Sequence, residues 1–174
     1  MTLSQPRKKI HSFSPVENRD ARLLVLGSMP GKASLAAGQY YAHPRNLFWP
    51  IISNLLGLSA AISYEERLAA LKANRIALWD VLASCERLTS LDAGIVADSE
   101  NVNNFEIFFN EHPRIEDVFF NGRKAEQTFL KKVKPFIASR RLVLHLLPST
   151  SPAYAALTFK EKLNAWREVV SLKQ

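Results

Sequence analysis

The residues best suited to chemistry in this 174-residue sequence lie in a polar, aromatic loop at positions 40–46. The loop contains Tyr41, His43, Arg45 and Asn46, which offer an aromatic ring, an imidazole, a cation and a carboxamide. Such a set can stack on a flat ring, bind an anion and orient a water molecule. The sequence has neither metal-ligand spacing nor a nucleotide-binding motif, so no metal and no cofactor are expected.

A buried strand and a tight turn must position this loop. Residues 23–26 form an unbroken apolar run, typical of a parallel strand covered on both faces, and Gly27, Pro30 and Gly31 end it. A helix is predicted from about Pro44 to residue 56. Ligand crevices of open α/β sheets lie at the carboxyl ends of strands, so we expect the loop to face one.

Three more strands, separated by helices, are predicted along the chain. Their ranges are Arg75–Leu82, Glu116–Phe120 and Arg141–Leu147. Capping boxes beginning at Ser63 and Thr158 predict two helix starts, whereas residues 83–103 show no period and are predicted to be a long surface connection. The alternation predicts an α/β fold, a three-layer α/β/α sandwich with a four-stranded parallel central sheet.

Composition limits the class of protein. The length predicts one domain over residues 21–174, preceded by an extended lead-in at residues 1–20 with a basic tip. The net charge of +7 favours a polyanionic partner. Cys85 is the sole cysteine, which excludes an intramolecular disulfide, a zinc–thiolate site and a four-cysteine iron–sulfur cluster. Without a membrane span or signal peptide, we expect a cytoplasmic or nucleoid location. We also expect a monomer.

Three motifs carry a family resemblance. They are GSMPG at residues 27–31, YAHPRNLFW at residues 41–49 and LPSTS at residues 147–151. Together they resemble the uracil-DNA glycosylase superfamily, most closely its hypoxanthine (deoxyinosine) branch, and the likeness runs from about residue 21 to 170. It implies a monofunctional DNA glycosylase of base excision repair. Such an enzyme flips a deaminated base, hypoxanthine or uracil, out of DNA and hydrolyses its N-glycosidic bond with an oriented water, leaving an abasic site.

The resemblance also implies roles for individual residues. Met29 stands where relatives carry a water-positioning Asp or Asn, so Asn46 is the first choice for orienting the water and His43 the second. The residues implied in base binding are Ser28, Met29, Tyr41, Asp80 and Asn121. The residues implied in DNA binding are Lys32, Arg45, Arg123, Lys124, Ser149, Thr150, Ser151 and Tyr154, of which Tyr154 would fill the gap left by the base.

Structural interpretations of the same residues stay open. Asn46 could cap the loop or the helix that follows it, and Asn121, followed by Gly122, is also a plain turn signal. Tyr41 could be ordinary half-buried packing. His145 lies inside a predicted strand and is assigned to the core or to the sheet surface.

Two other functions also stay open. One is a small-molecule α/β hydrolase using Ser149 or Ser28 with His43 and Asp80, although the sequence has no G-x-S-x-G elbow. The other is a non-catalytic module that binds damaged DNA, which Met29 makes plausible.

Overall fold

A computed structural model describes residues 8–171 of the chain. Within that range the strands are β1 (Lys9–His11), β2 (Leu23–Gly27), β3 (Ile76–Asp80), β4 (Leu82–Glu86), β5 (Asn101–Val102), β6 (Asp117–Asn121) and β7 (Val143–Leu147). The helices are α1 (Lys32–Ala37), α2 (Phe48–Leu56), α3 (Tyr64–Ala73), α4 (Phe105–Glu111), α5 (Arg123–Lys132), α6 (Phe159–Trp166) and α7 (Glu168–Ser171). Short 3₁₀ turns cover Asp92–Gly94, Ala97–Ser99 and Lys134–Ile137.

The central sheet has four parallel strands in the order β3-β2-β6-β7. Gly27 at the end of β2 is in register with Asp80 at the end of β3, and Asn121 of β6 with Leu147 of β7. All four carboxyl ends therefore lie along one edge. The predicted three-layer α/β/α sandwich with a four-stranded parallel sheet is confirmed.

Apolar side chains fill both faces of this sheet. Leu24 and Leu26 point to the face covered by α4 and α5, and Leu23 and Val25 point to the face covered by α2, α3 and α6. This two-sided burial explains the unbroken apolar run of β2. Both predicted capping boxes are present, one between Ser63 and Glu66 and the other between Thr158 and Glu161.

A second, three-stranded sheet in the order β1-β4-β5 continues beyond the end of β3. The prediction that residues 83–103 form a long surface connection is therefore wrong for the parts that form β4 and β5, whereas residues 87–100 between these strands contain short 3₁₀ turns. The predicted single strand at 75–82 is also divided, because β3 ends at Asp80 and β4 starts at Leu82. The partner of β4 is β1, whose Lys9 pairs with Glu86, and such a distant partner leaves no local sequence pattern.

The lead-in contacts the same core. Within residues 8–20, strand β1 and an antiparallel bridge between Val16 and Leu78 of β3 give the extended course that was predicted. Glu17 contacts the buried His112 at 2.7 Å. These contacts attach residues 8–20 to the body of the protein, whereas Pro6 and Arg7 of the predicted basic tip lie outside the described residues.

The helix after the aromatic loop begins at Phe48, four residues later than predicted. The reason is a separate turn in which the Asn46 N–H donates to the His43 carbonyl at 2.9 Å. Within residues 8–171, no helix has the length and apolar character needed to cross a membrane.

Candidate active site

Asp80 is the most deeply buried charged group at the carboxyl edge of the sheet. Its side chain is at the end of β3, the residue is 3% exposed, and its Oδ2 accepts a hydrogen bond from Ser12 Oγ at 2.8 Å. Burial raises the pKa of Asp80 to about 7. The hydrogen bond from Ser12 and the charge of Arg87 oppose this rise, and the charge of Asp92 adds to it. Asp80 therefore changes its charge near neutral pH.

Tyr41 lies across the neighbouring strand end. Its ring stacks on Phe48 with centroids 4.0 Å apart, and its buried hydroxyl has no hydrogen-bond partner among the described residues. A Cβ atom at Gly27 would lie 2.5 Å from Asp80 Oδ1 and 2.8 Å from Tyr41 Oη. Glycine at position 27 therefore lets the two side chains meet over the end of β2.

The electrostatics and the backbone of Tyr41 are both unusual. Burial raises its pKa, the Asp80 carboxylate adds to this effect, and the nearby Asn121 amide opposes it. Its backbone has φ of 55°, in the left-handed region that a tyrosine occupies at a cost on the order of 1 kcal/mol. Strain of this kind is often found where a side chain must be held for function.

The predicted catalytic residues are fixed by backbone hydrogen bonds in the same loop. Asn46 Oδ1 accepts the Phe48 N–H at 2.9 Å, so the asparagine forms an Asx turn that satisfies the first N–H of α2, whose N-cap residue is Leu47. A backbone N–H can be met only by the carbonyl oxygen, which leaves Asn46 Nδ2 to donate elsewhere. His43 Nδ1 accepts the Arg45 N–H at 3.1 Å, which places the proton of the neutral ring on Nε2.

Thr150 joins the two motif loops to the sheet. Its hydroxyl accepts from Asn121 Nδ2 and its N–H donates to Asn121 Oδ1, both at 2.9 Å. Its carbonyl accepts the Leu47 N–H at 3.0 Å. Asn121 was predicted to bind the base, and Thr150 to bind DNA. Here Asn121 anchors a loop, and Thr150 is buried inside the junction.

Sequence reasoning missed Arg87 and Asp92, which lie beside the predicted residues. Asp92 Oδ1 accepts a 2.6 Å hydrogen bond from Ser28, and desolvation raises the pKa of Asp92 although the residue as a whole is exposed. Arg87 Nη1 is buried without a hydrogen-bond partner among the described residues, and burial lowers the pKa of Arg87. The available signal was their place in a long connection directly after the Asp80 strand end.

Met29 has a packing position. Its side chain is buried in an apolar cluster with Leu82 and Cys85, against which Ile10 and Ile95 pack. The thioether thus holds the second sheet against the end of β2. The contact of Met29 with a base stays a prediction.

The predicted DNA-binding cations differ in their exposure and in whether an acidic side chain already pairs with them. Lys32, Arg45 and Arg123 are exposed. Lys124 instead pairs with Glu100, which Lys132 also contacts at 3.0 Å. These two lysines lower the pKa of Glu100 despite its burial, so the charge of Lys124 is already compensated.

The distal loop offers small hydroxyl groups and one aromatic ring. Ser149 Oγ accepts the Ser151 N–H, and Ser151 Oγ accepts the Ala153 N–H, each at 3.2 Å. Both hydroxyl protons remain able to donate. The Tyr154 ring is partly exposed and lies 5.1 Å from Lys162 Nζ, which also donates to the Tyr154 carbonyl.

The site has little in common with a serine hydrolase or a metal centre. Among the described residues, neither Ser28 nor Ser149 hydrogen-bonds to His43, as a nucleophile–base pair would require. Nor do residues 8–171 contain a group of three or more His, Cys, Asp or Glu side chains that could hold a metal ion.

A known protein family matches the part of the chain that contains this site. The sequence model described as the Uracil DNA glycosylase superfamily matches residues 14–170. The chain belongs to the uracil DNA glycosylase superfamily. The matched residues include the central sheet, both motif loops and strands β4 and β5 of the second sheet, and the membership supports DNA glycosylase activity.

Similar members of the superfamily match over nearly their whole length. The hypoxanthine DNA glycosylase of Methanosarcina barkeri is 34% identical over 161 residues, which is 92% of this chain and 97% of the relative. The protein of the same name from Methanosarcina acetivorans is 32% identical over 158 residues, covering 90% and 95%. A solution NMR structure of a candidate uracil DNA glycosylase from M. acetivorans has a TM-score of 0.75 at 29% identity, covering 93% of this chain and 99% of the other.

Proposed function

We propose that this protein is a monofunctional DNA glycosylase that extrudes a deaminated base from DNA and hydrolyses its N-glycosidic bond. The names of the relatives favour hypoxanthine, and uracil presents a similar edge. One observation carries the proposal. Arg87 Nη1 is buried without a hydrogen-bond partner among the described residues, and its charge acts on the buried carboxyl of Asp80 at the end of β3, so the polar edge of a base bound between them would satisfy both groups.

Asp80 and Arg87 together are proposed to recognise a keto group next to a ring N–H. Hypoxanthine offers the O6 acceptor beside the N1–H donor, and uracil offers O4 beside N3–H. Ionised Asp80 accepts the N–H, and Arg87 donates to the oxygen. Adenine reverses both groups, with an amino donor beside the N1 acceptor, and would leave two buried charges unsatisfied. Cytosine shows the same reversed edge, so the pair distinguishes hypoxanthine and uracil from adenine and cytosine, the amino bases from which they are formed.

Tyr41 is the proposed platform for the extruded base. Phe48 covers one face of its ring, and the base stacks on the other face. Such a stack is worth about 1–3 kcal/mol and tolerates any flat base. Stacking therefore holds the base, while Asp80 and Arg87 identify it.

Asn46 is the proposed holder of the attacking water. The second lone pair of its carbonyl oxygen accepts a water proton, which turns the water oxygen towards C1′ of the sugar. A C1′–O bond then forms as the C1′–N bond breaks, the bonding electrons leave with the base, and the water proton is released. His43 Nε2 is the second candidate for the water contact, since Nδ1 is already occupied.

Phosphate contacts are proposed for the exposed cations Lys32, Arg45 and Arg123, and for the hydroxyl groups of Ser149 and Ser151. These groups would position the duplex without reading sequence. Substituting Arg123 with Ala should weaken binding to damaged and undamaged DNA equally and reduce its salt dependence.

The decisive experiment incubates the purified protein with labelled oligonucleotides containing one deoxyinosine, deoxyxanthosine or deoxyuridine, followed by alkali to cut abasic sites. We expect cleavage at deoxyinosine and none at deoxyadenosine. Asn110→Ala, which removes an exposed amide on α4, is the matched control for Asn46→Ala. Tight binding to the lesion without abasic sites would instead identify a damage-binding module.

A further inference from the structure

The lead-in passes beside the end of β3 and is held there by hydrogen bonds. The Ser12 N–H donates to the Ala83 carbonyl at 2.9 Å, just beyond the end of that strand. The next carbonyl, that of Phe13, accepts from Trp79 Nε1 at 3.0 Å. These two bonds to residues on either side of the strand end fix the position of Ser12.

Ser12 brings a hydroxyl group to one oxygen of the Asp80 carboxyl. Its Oγ donates to Asp80 Oδ2 at 2.8 Å, at a residue that is 3% exposed. Within residues 8–171, Ser12 is the hydrogen-bond donor to this carboxyl. A buried carboxylate needs donors to keep its charge, so Ser12 supports the ionised form of Asp80.

The second carboxyl oxygen lies on the other side, over the end of β2. A Cβ atom at Gly27 would lie 2.5 Å from Asp80 Oδ1 and 2.8 Å from Tyr41 Oη. The terminal torsion of an aspartate is broad, so a carboxyl without a partner can turn. Because Oδ2 is bound to Ser12, Oδ1 keeps its place next to the proposed stacking platform.

We propose that Ser12 is a positioning residue that presents ionised Asp80, through Oδ1, to the ring N–H of the extruded base. The inference rests on the proposed function, in which Asp80 accepts that N–H. A hydroxyl that donates to a carboxylate favours the charged acceptor, whereas a protonated carboxyl turns its own hydrogen towards the base. Ser12 therefore contributes to base recognition without touching the base, although it precedes residue 21, where the sequence predicts the domain to begin.

Other titratable side chains also act on Asp80 and have to be kept unchanged in a test. Those in the described part of the chain are Asp92 and Arg87 after β4, and Tyr40 and Tyr41 in the aromatic loop. Burial raises the pKa of Asp80 most, and the Ser12 hydrogen bond opposes this rise ahead of the effects of Asp92 and Arg87. Substituting Ser12 leaves all four side chains in place, so a displaced titration reports the lost hydrogen bond.

The first test measures single-turnover excision of deoxyinosine from duplex DNA between about pH 5.5 and about pH 9. In Ser12→Ala the rise of excision with pH should move upward by about one pH unit, because the carboxyl loses a donor that favours its charge. Excision should then fall about tenfold near pH 6, but stay within about threefold of the wild type near pH 9, where Asp80 is ionised in both proteins. A loss of the same size at every pH would overturn the proposal.

Two further variants serve as controls in the same assay. Ser12→Thr keeps the hydroxyl group and should restore the wild-type pH profile. Ser14→Ala removes an exposed hydroxyl from the same segment and should leave the profile unchanged. A profile displaced equally by Ser14→Ala would show that the segment as a whole is responsible, which would contradict the specific role of Ser12.

A double variant tests whether Ser12 acts through Asp80. Asp80→Asn cannot ionise, so adding Ser12→Ala to it should lower excision less than about twofold further. A further loss of about tenfold would mean that Ser12 supports the fold or another group, and the proposal would fall.

The titration of Asp80 can also be followed without DNA, from the carbon-13 chemical shift of its carboxyl in the whole protein. The midpoint should lie near pH 7 in the wild type and, in Ser12→Ala, about one pH unit higher. If the alanine variant does not fold, Ser12→Cys, whose thiol is a weaker donor, should give a smaller displacement in the same direction. If the wild type excises no base, the proposed function fails, whereas a displaced midpoint still supports the action of Ser12 on Asp80. Equal midpoints in the wild type and the folded variant would overturn the inference.

Discussion

The two sides of the crevice are held together in opposite ways. The anchored side, residues 40–47 and 148–151, is tied by Thr150 to Asn121 and to Leu47, and Asn46 bonds the start of α2. The charged side, residues 80–94, contains two carboxyl groups with raised pKa values, Asp80 and Asp92. It also contains Arg87 Nη1, which has no hydrogen-bond partner among the described residues.

This difference indicates that the two sides of the crevice have different roles. A loop whose backbone and side chains are already bonded keeps its geometry without a ligand and suits the placement of a water molecule. A buried nitrogen without a hydrogen-bond partner costs the empty protein stability and can be satisfied by a ligand. The anchored side should therefore position the reaction, and the charged side should choose the base.

Asn46 should give the largest effect, because it is the proposed positioning group of the anchored side. Asn46→Ala should lower single-turnover excision by about a hundredfold or more. It should also cost about 1 kcal/mol of stability, since Phe48 N–H loses its cap. Asn46→Ser restores a capping oxygen without the reach of the amide. We expect it to recover the melting temperature but not the activity; recovery of both would leave Asn46 as a cap alone.

Asp80 should give the next largest effect, and a pH dependence. If the ionised carboxylate accepts the base N–H, excision should rise with pH through the pKa of about 7. Asp80→Asn should lower excision by about tenfold at pH 8 and remove the pH dependence. The stability of the protein should fall with pH where excision rises, because a carboxyl pKa that is raised in the folded state makes that state bind more protons than the unfolded state. Stability conferred by protonated Asp80 is lost as pH rises to about 7, and Asp80→Asn should abolish that loss in thermal melts.

Asp92→Asn is the matched control for this carboxylate. It keeps an oxygen for Ser28 but removes the charge that raises the pKa of Asp80. The pH profile of excision should survive and move to lower pH. A profile that vanishes with Asp92→Asn and persists with Asp80→Asn would assign the titration to Asp92.

The contrast also explains what the sequence could predict. Apolar runs and turn residues located all four strand ends, and with them Gly27, Asp80 and the aromatic loop. The second sheet escaped prediction because β4 pairs with β1, whose Lys9 is far from Glu86 in sequence, and β5 has two residues. Arg87 and Asp92 lie in the same part of the chain and were not predicted as site residues either. The motif residues Asn121 and Thr150 were located, but their mutual hydrogen bonds depend on the approach of two loops and leave no sequence signal.

Arg87 tests whether the charged side is built for a ligand. Arg87→Met removes the buried, unpartnered nitrogen, so it should raise the melting temperature while lowering excision of hypoxanthine about tenfold. Arg87→Lys keeps the charge and should lose less activity. A methionine variant that is both less stable and fully active would mean that Arg87 supports the fold instead.

Tyr41 should give the smallest effect, and it lies where the two sides meet. Its ring is held by Phe48 on the anchored side, while its hydroxyl, which has no hydrogen-bond partner among the described residues, lies over Gly27 as the Asp80 carboxyl does. If the ring is the working part, Tyr41→Phe should keep most activity and gain up to about 1 kcal/mol of stability by removing a buried hydroxyl without a partner. Tyr41→Ala should lose the stack and suffer more on well-paired than on mismatched deoxyinosine, because a mismatched base is easier to extrude. Single-turnover excision opposite different partner bases measures both variants. Equal losses for Phe and Ala would show that the hydroxyl contacts the base and would move Tyr41 to the charged side.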